Sequence, residues 1–368
     1  MVVGFDGVEM SPRLASLLSR VQPAGVILFA RNLQTAQQTH QLLRDCKKSV
    51  STPLFTCVDL EGGTVDRFRD VLGATPSPTD VFATDDPHLA RKQGQVIGEN
   101  CRALGFNVDF APVLDLAFEA SRTVMGTRAV SADPQETVAY AGEFLAGLKA
   151  SRVLGCGKHF PGLGEGKLDS HHQLPVIEKT LKKMWAEDLV PYRALARQLP
   201  MVMVSHAAYP QITKTKTPAS LSKMWITDVL RKKIGYRGLI VSDDLEMGGV
   251  LSAGPVGEAA VEFVRAGGDM CLVCHREDFV LQAHEAVTKA AERDAKFARR
   301  VAESARRIAA FKKKNASGLR SGKSPSSTLV EKLTRRLWEF EEQVRLGPLS
   351  RREDRLRNGR QRNGRRHA

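Results

Sequence analysis

Between residues 2 and 275 the chain repeats one pattern eight times: a short, nearly continuous apolar run, then a longer amphipathic stretch. The runs are VVGF (2–5), GVILF (25–29), PLFTCVDL (53–60), VDFAPVLDL (108–116), VLGCGKHF (153–160), MVMVSH (201–206), GLIVSD (238–243) and MCLVCH (270–275). Apolar runs without polar alternation suit strands buried on both faces, as in a parallel sheet flanked by helices. The Asp-Pro pairs at 86–87 and 133–134 are helix openings, with the acid as cap and proline in the first turn. A last helix is predicted from about 277 to 315, where KKKNASG puts basic residues near its negative end. Eight strand–helix units fit a closed (β/α)8 barrel, an α/β fold, better than an open doubly wound sheet.

The barrel accounts for residues 1–315. Residues 316–368 divide into a Gly/Ser/Pro linker (NASGLRSGKSPSS), a short helix (TLVEKLTRRLWEFEEQVRL) and an Arg-rich tail expected to be disordered. This is too little chain for a second α/β domain. Eight arginines against two acids in 351–368 supply a net +6 of the chain's +14. The tail has no aromatic residue on which bases could stack, so a solvated extension is preferred over nucleic-acid binding. No apolar run reaches membrane-spanning length, and MVVGFDGVEM carries no signal-peptide pattern. With six dispersed cysteines read as buried free thiols, the expected location is the cytoplasm. CLVCH (271–275) has the spacing of a haem attachment site, but its apolar surroundings favour a strand with two small buried residues.

Polar residues gather where the apolar runs stop. Asp59 ends the third, Asp115 the fourth, Lys158 and His159 the fifth, His206 the sixth, and Asp243 with Asp244 the seventh. Any one could merely cap the following helix, but a barrel collects its chemistry on this rim. KHFPGLGEGKLDSHH (158–172) lacks the spacing and the Ser/Thr of a phosphate-binding Walker loop. His159 and His171 lie twelve residues apart across glycines, which suits a zinc site poorly. What is left is a loop carrying Asp169-Ser170-His171. A carboxylate two residues from an imidazole can fix its tautomer and raise its pKa, as a general acid/base requires.

These residues resemble the family 3 glycoside hydrolases, in particular their single-domain β-N-acetylglucosaminidase branch, over roughly residues 2–315. KHFPGLGEGKLDSH is similar to that branch's Lys-to-His loop at equal spacing, and VLRKKIGYRGLIVSDDLEM to its nucleophile segment. VDLEGGTVDRF and APVLDL…MGTRAVSADP are similar to two further segments, in the same order. The resemblance implies Asp243 as nucleophile, His171 as acid/base and Asp169 as its partner. It implies Asp59, Arg67, Arg128, Lys158 and His159 as holders of the terminal sugar.

The implied reaction is retaining exo-hydrolysis of terminal β-linked N-acetylglucosamine, with peptidoglycan-derived muropeptides as substrates. No cofactor, metal or membrane partner is expected, and the expected state is a monomer. A phosphorylase, or a β-glucosidase or β-xylosidase of the same fold, is the alternative; a basic nucleic-acid-binding protein is a more distant one. Leu163 stands where the branch has His, which removes one loop contact. Glu246 stands where a small residue is usual, and it is expected to crowd or recharge the rim. Leu60 and Thr64 replace a Gln and an Arg beside the two glycines of the EGG segment.

Overall fold

The computed structural model describes residues 1–170 and 173–364, with side chains through residue 347. The eight apolar runs become eight parallel strands closed into a barrel. In chain order they are β1 (Val2–Val3), β2 (Gly25–Ile27), β3 (Phe55–Val58), β4 (Val108–Asp109), β5 (Leu154–Phe160), β6 (Met201–Val204), β7 (Leu239–Asp244) and β8 (Met270–Val273). β1 closes the ring: Val3 pairs with Val26 of β2 on one side and with Val273 of β8 on the other. That closure excludes the open doubly wound sheet.

Two apolar layers hold the barrel. Inside the ring, Ile27, Phe55, Cys57, Phe110, Cys156, Met203 and Leu272 pack on one another, and Ile308, Phe311 and Leu319 close the bottom. Outside it, a larger cluster joins the strands to the helices. Cys271 belongs to the outer cluster and Cys274 to the inner one, as alternation along a strand requires. With the two thiols buried on opposite faces, one haem cannot bridge them, so the haem reading of CLVCH falls.

Several helices differ from expectation. The one predicted over 277–315 is two, Glu277–Arg293 and Ala295–Lys314. Asp294 leaves helical geometry between them, and its side chain caps Lys296 and Phe297 N–H. LKKMWAEDLVPYRALARQ likewise splits into Leu181–Ala186 and Val190–Leu195. Pro191 has no N–H to continue a helix and is tolerated only in a first turn.

The C-terminal segment packs on the barrel. Residues of the expected linker bind back, with His40 Nε2 3.2 Å from Gly322 O and Lys47 donating to Ser321 Oγ at 2.8 Å. The final helix runs Ser327–Gly364. Leu333, Leu337, Phe340 and Val344 on it are buried. Among the described residues no helix is long and apolar enough to cross a membrane.

Candidate active site

The rim at the C-terminal ends of the strands is built from charged side chains that burial would forbid singly. After β3 the chain passes Asp59 and turns through a hairpin, Leu60–Gly62 paired with Val65–Asp66. Gly62 and Gly63 take φ of +90° and +61°, a conformation that disfavours other residues. The hairpin points Glu61 inward. Lys158 Nζ, at the end of β5, lies 2.8 Å from Asp59 Oδ1 and 2.6 Å from Glu61 Oε1. Arg128 grips the same carboxylate with both arms, Nε to Oε2 at 2.7 Å and Nη2 to Oε1 at 2.8 Å.

Burial alone would push the Glu61 carboxyl up, but Arg128 and Lys158 overcome it and hold the group well below the usual carboxylate range. Asp59 with Glu61 holds Lys158, and Glu61 holds Arg128, above their ordinary values despite burial. His159 follows Lys158 directly. Its Nδ1 is 2.6 Å from Asp115 Oδ2, and its Nε2 is 3.4 Å from Arg128 Nη2. A guanidinium only donates, so Nε2 is the acceptor and the ring is neutral, with its proton on Nδ1 facing Asp115. Asp59, Arg128, Lys158 and His159 thus form one lattice, with Glu61 and Asp115 at its joints.

Arg67 lies just past the hairpin, its guanidinium carbon 5.5 Å from the Phe29 ring centre. Its buried Nε has no hydrogen-bond partner among the described residues.

Asp243 sits at the end of β7, and its Oδ1 accepts from Asp244 N–H at 2.9 Å. The Asp244 carbonyl accepts from His206 Nε2 at 2.9 Å, while His206 Nδ1 is 2.7 Å from Ser220 Oγ. A carbonyl only accepts, so Nε2 donates, and in a neutral ring Nδ1 accepts from the Ser220 hydroxyl. Asp244 Oδ1 takes N–H bonds from Glu246 and Cys274, both at 3.1 Å. Burial, with the charge of Glu246 added, pushes the Asp244 carboxyl up to about 8.

Glu246 does not crowd the rim. Its Oε1 accepts from His275 N–H at 2.6 Å and Arg276 N–H at 3.0 Å, so it caps the helix Glu277–Arg293. The Leu163 side chain joins the outer core, and its N–H donates to Asp115 Oδ1 at 2.7 Å. The loop's glycines are positions of close approach. A Cβ on Gly162 would stand 2.8 Å from Asp188 Cβ, and one on Gly164 2.8 Å from the Leu116 carbonyl. Glu165 is tied to Lys183 at 2.9 Å. Beyond it Asp169 is exposed and Ser170 buried, whereas His171 lies outside the described residues.

Sequence reasoning gave Glu61 no role, and it named Asp115 and His206 only as strand ends. A second acid two residues after Asp59, between Leu60 and Gly62, was the signal for Glu61. Among the described residues no cluster of His, Cys, Asp or Glu could hold a metal ion. A cage of fixed, opposed charges suits a neutral polyol, whose hydroxyls both donate and accept.

Residues 2–311 match the N-terminal domain of glycosyl hydrolase family 3. A β-hexosaminidase of Idiomarina loihiensis is 35% identical over 290 residues, 78% of this chain and 87% of the relative. One from Bordetella avium is 38% identical over 286 residues, 76% of this chain and 81% of the relative. Among solved structures, a family 3 β-N-acetylglucosaminidase from Paenibacillus superposes with a TM-score of 0.87 at 31% identity, over 93% of this chain and 67% of that one. NagZ from Neisseria gonorrhoeae, in complex with N-trifluoroacetyl-D-glucosamine, gives 0.77 at 28% identity, over 95% and 97%. With the family match running across all eight strands of the barrel, the chain belongs to glycosyl hydrolase family 3 and is a glycoside hydrolase.

Proposed function

We propose that this protein is a retaining exo-β-N-acetylglucosaminidase. The observation that carries the reading is the lattice of Asp59, Glu61, Lys158, Arg128, His159 and Asp115, on the same rim as Asp243 at the end of β7. Such a lattice would fix one terminal sugar by its hydroxyls. The names of the relatives, β-hexosaminidase and β-N-acetylglucosaminidase, support N-acetylglucosamine as that sugar.

In the first step a carboxylate oxygen of Asp243 bonds to the anomeric carbon as its bond to the aglycone oxygen breaks. His171 gives its proton to the departing oxygen. In the second step His171 takes a proton from water, the water oxygen bonds to the anomeric carbon, and Asp243 leaves as carboxylate. Asp169 orients the imidazole. Acid catalysis of this kind contributes about 10²- to 10⁴-fold. Muropeptide fragments in the cytoplasm are the natural substrate class in this reading, which six buried free thiols support as to compartment.

The test is turnover of nitrophenyl N-acetyl-β-glucosaminide beside the corresponding glucoside and xyloside, each with and without inorganic phosphate. The expected result is preference for the N-acetyl sugar by at least about tenfold in kcat/KM, with free sugar as product. Preference for the glucoside or xyloside would overturn the sugar assignment. Sugar 1-phosphate as product would make the enzyme a phosphorylase.

A further inference from the structure

The final helix, Ser327–Gly364, shows two different faces over its described side chains. Leu333, Leu337, Phe340 and Val344 recur at spacings of four, three and four and are buried. Arg336 pairs with Glu99, and Lys92 donates to Gln343 Oε1 at 2.6 Å, which ties this side of the helix to the barrel. Turned away from it stands a second stripe, Glu331, Thr334, Trp338, Glu341 and Arg345, at spacings of three, four, three and four. All five are exposed. Trp338 is 60% exposed, more than any other large apolar side chain among the described residues. A shallow groove beside it is lined by Val330, Glu331, Thr334 and Arg335.

The charges of this helix are arranged about Trp338. Before it, in 327–337, Lys332, Arg335 and Arg336 outnumber Glu331, a net +2. After it, in 339–346, Glu339, Glu341 and Glu342 outnumber Arg345, a net −2. A second copy laid antiparallel, indole against indole, sets the positive half of each helix on the negative half of the other. The three-four spacing is what lets two helices pack along their length. In that register Glu331 meets the second copy's Arg345 and Arg335 meets its Glu342, and two-fold symmetry makes each pair occur twice. A parallel pair would set Glu331 on Glu331 and Arg345 on Arg345, which repulsion opposes. Within one chain Arg345 pairs with Glu342 at 2.6 Å, and Arg335 lies 3.9 Å from Glu339. Such exposed pairs contribute little singly, and the second copy extends them into a network.

We infer that the outer face of the final helix is a homodimer interface: two copies of this chain associate through antiparallel helices about a two-fold axis at Trp338. The barrels lie on opposite sides of the helix pair, since each helix gives its buried face to its own barrel. The seam from Leu329 to Leu346 is about 27 Å long. One helix pair of that length is at the small end of specific interfaces, so the association is micromolar. This dimer departs from the expected monomer and is independent of which sugar the enzyme cleaves.

The test is sedimentation equilibrium of the full wild-type chain from about 1 to about 200 µM, where a monomer–dimer equilibrium with Kd of about 1–100 µM is expected. A chain that stays monomeric throughout overturns the inference, as does one whose Trp338 face takes up anionic phospholipid vesicles instead. Trp338→Ala should weaken the dimer at least about 30-fold. A change of less than about threefold places the interface elsewhere and overturns it. Glu331→Arg and Arg345→Glu should each weaken the dimer at least about tenfold, and the chain carrying both should recover to within about threefold of wild type. Failure to recover overturns the antiparallel register, because only that register lets the two changes compensate. The three side chains are exposed, and turnover of the nitrophenyl substrate within about twofold of wild type checks that each variant is folded.

Discussion

Glu61 Oε1 lies 2.6 Å from Lys158 Nζ, with 1% and 3% of the two side chains exposed. Arg128 takes the other side of the carboxylate. Glu61 thus ties two cations together at the mouth of the barrel, and the site is held together from within the protein before any sugar arrives. Removing that acid leaves two buried cations short of a partner. Glu61→Gln is expected to cost about 3–5 kcal/mol of stability. The sign with pH follows from the depressed carboxyl: its contribution is present above the unfolded value and is lost as pH falls toward the folded one. Thermal unfolding should show a gap between wild type and Glu61→Gln that is constant above about pH 5 and narrows below about pH 4. A gap that widens in acid would contradict the pairing.

Asp244 works in the opposite direction. Its carboxyl titrates at about 8 in the folded chain, against about 3.9 unfolded. The folded state holds the extra proton, so this stabilisation is full below the unfolded value and lost as pH rises through about 8. Asp244→Asn keeps an oxygen for the Glu246 and Cys274 N–H groups and cannot ionise. Wild type should lose stability relative to this variant as pH rises from about 4 to about 8. The alkaline limb of kcat/KM near pH 8 should be absent in the variant. An unchanged limb would assign it to another group.

Glu246 separates a cap from a rim contact. Glu246→Ala should cost about 0.5–2 kcal/mol through the freed N–H groups of His275 and Arg276. It should change kcat/KM by less than about threefold. Because the Glu246 charge helps to raise Asp244, the same variant should move the alkaline limb to lower pH. Denaturant unfolding and a pH–rate profile together check both effects.

Asp115 accepts from the His159 ring and backbone and from Leu163 N–H, so both its oxygens are committed. Asp115→Asn replaces one acceptor with a donor and disturbs the imidazole tautomer or the loop. If the lattice acts by holding sugar alike in ground and transition states, KM should rise about tenfold with kcat little changed. Initial-rate kinetics on the nitrophenyl substrate test this, and a fall in kcat alone would place Asp115 in the chemistry.

All eight strands were legible because a parallel strand buried on both faces leaves an apolar run that no surface helix shows. Lys158, His159 and Asp243 were legible as polar residues ending such runs. Glu61 was not, because a buried acid is identified by its partners, and Arg128 lies far along the chain from it. The cap that Glu246 makes was hidden for a related reason: sequence shows the charge, while its partners are backbone N–H groups. The break at Asp294 was hidden within a continuous helical pattern. The C-terminal helix was expected to end sooner, since an Arg-rich stretch reads as solvated chain whatever its backbone does.

The central claim is that Asp243 forms a bond to the sugar. A slow mechanism-based substrate, a fluorinated N-acetylglucosaminyl fluoride, should accumulate the glycosyl-enzyme. Intact-mass measurement should then show one added sugar per chain, and peptide mapping should locate it on Asp243, with no adduct in Asp243→Ala. An adduct on any other residue, or turnover with inversion at the anomeric carbon, would contradict the account.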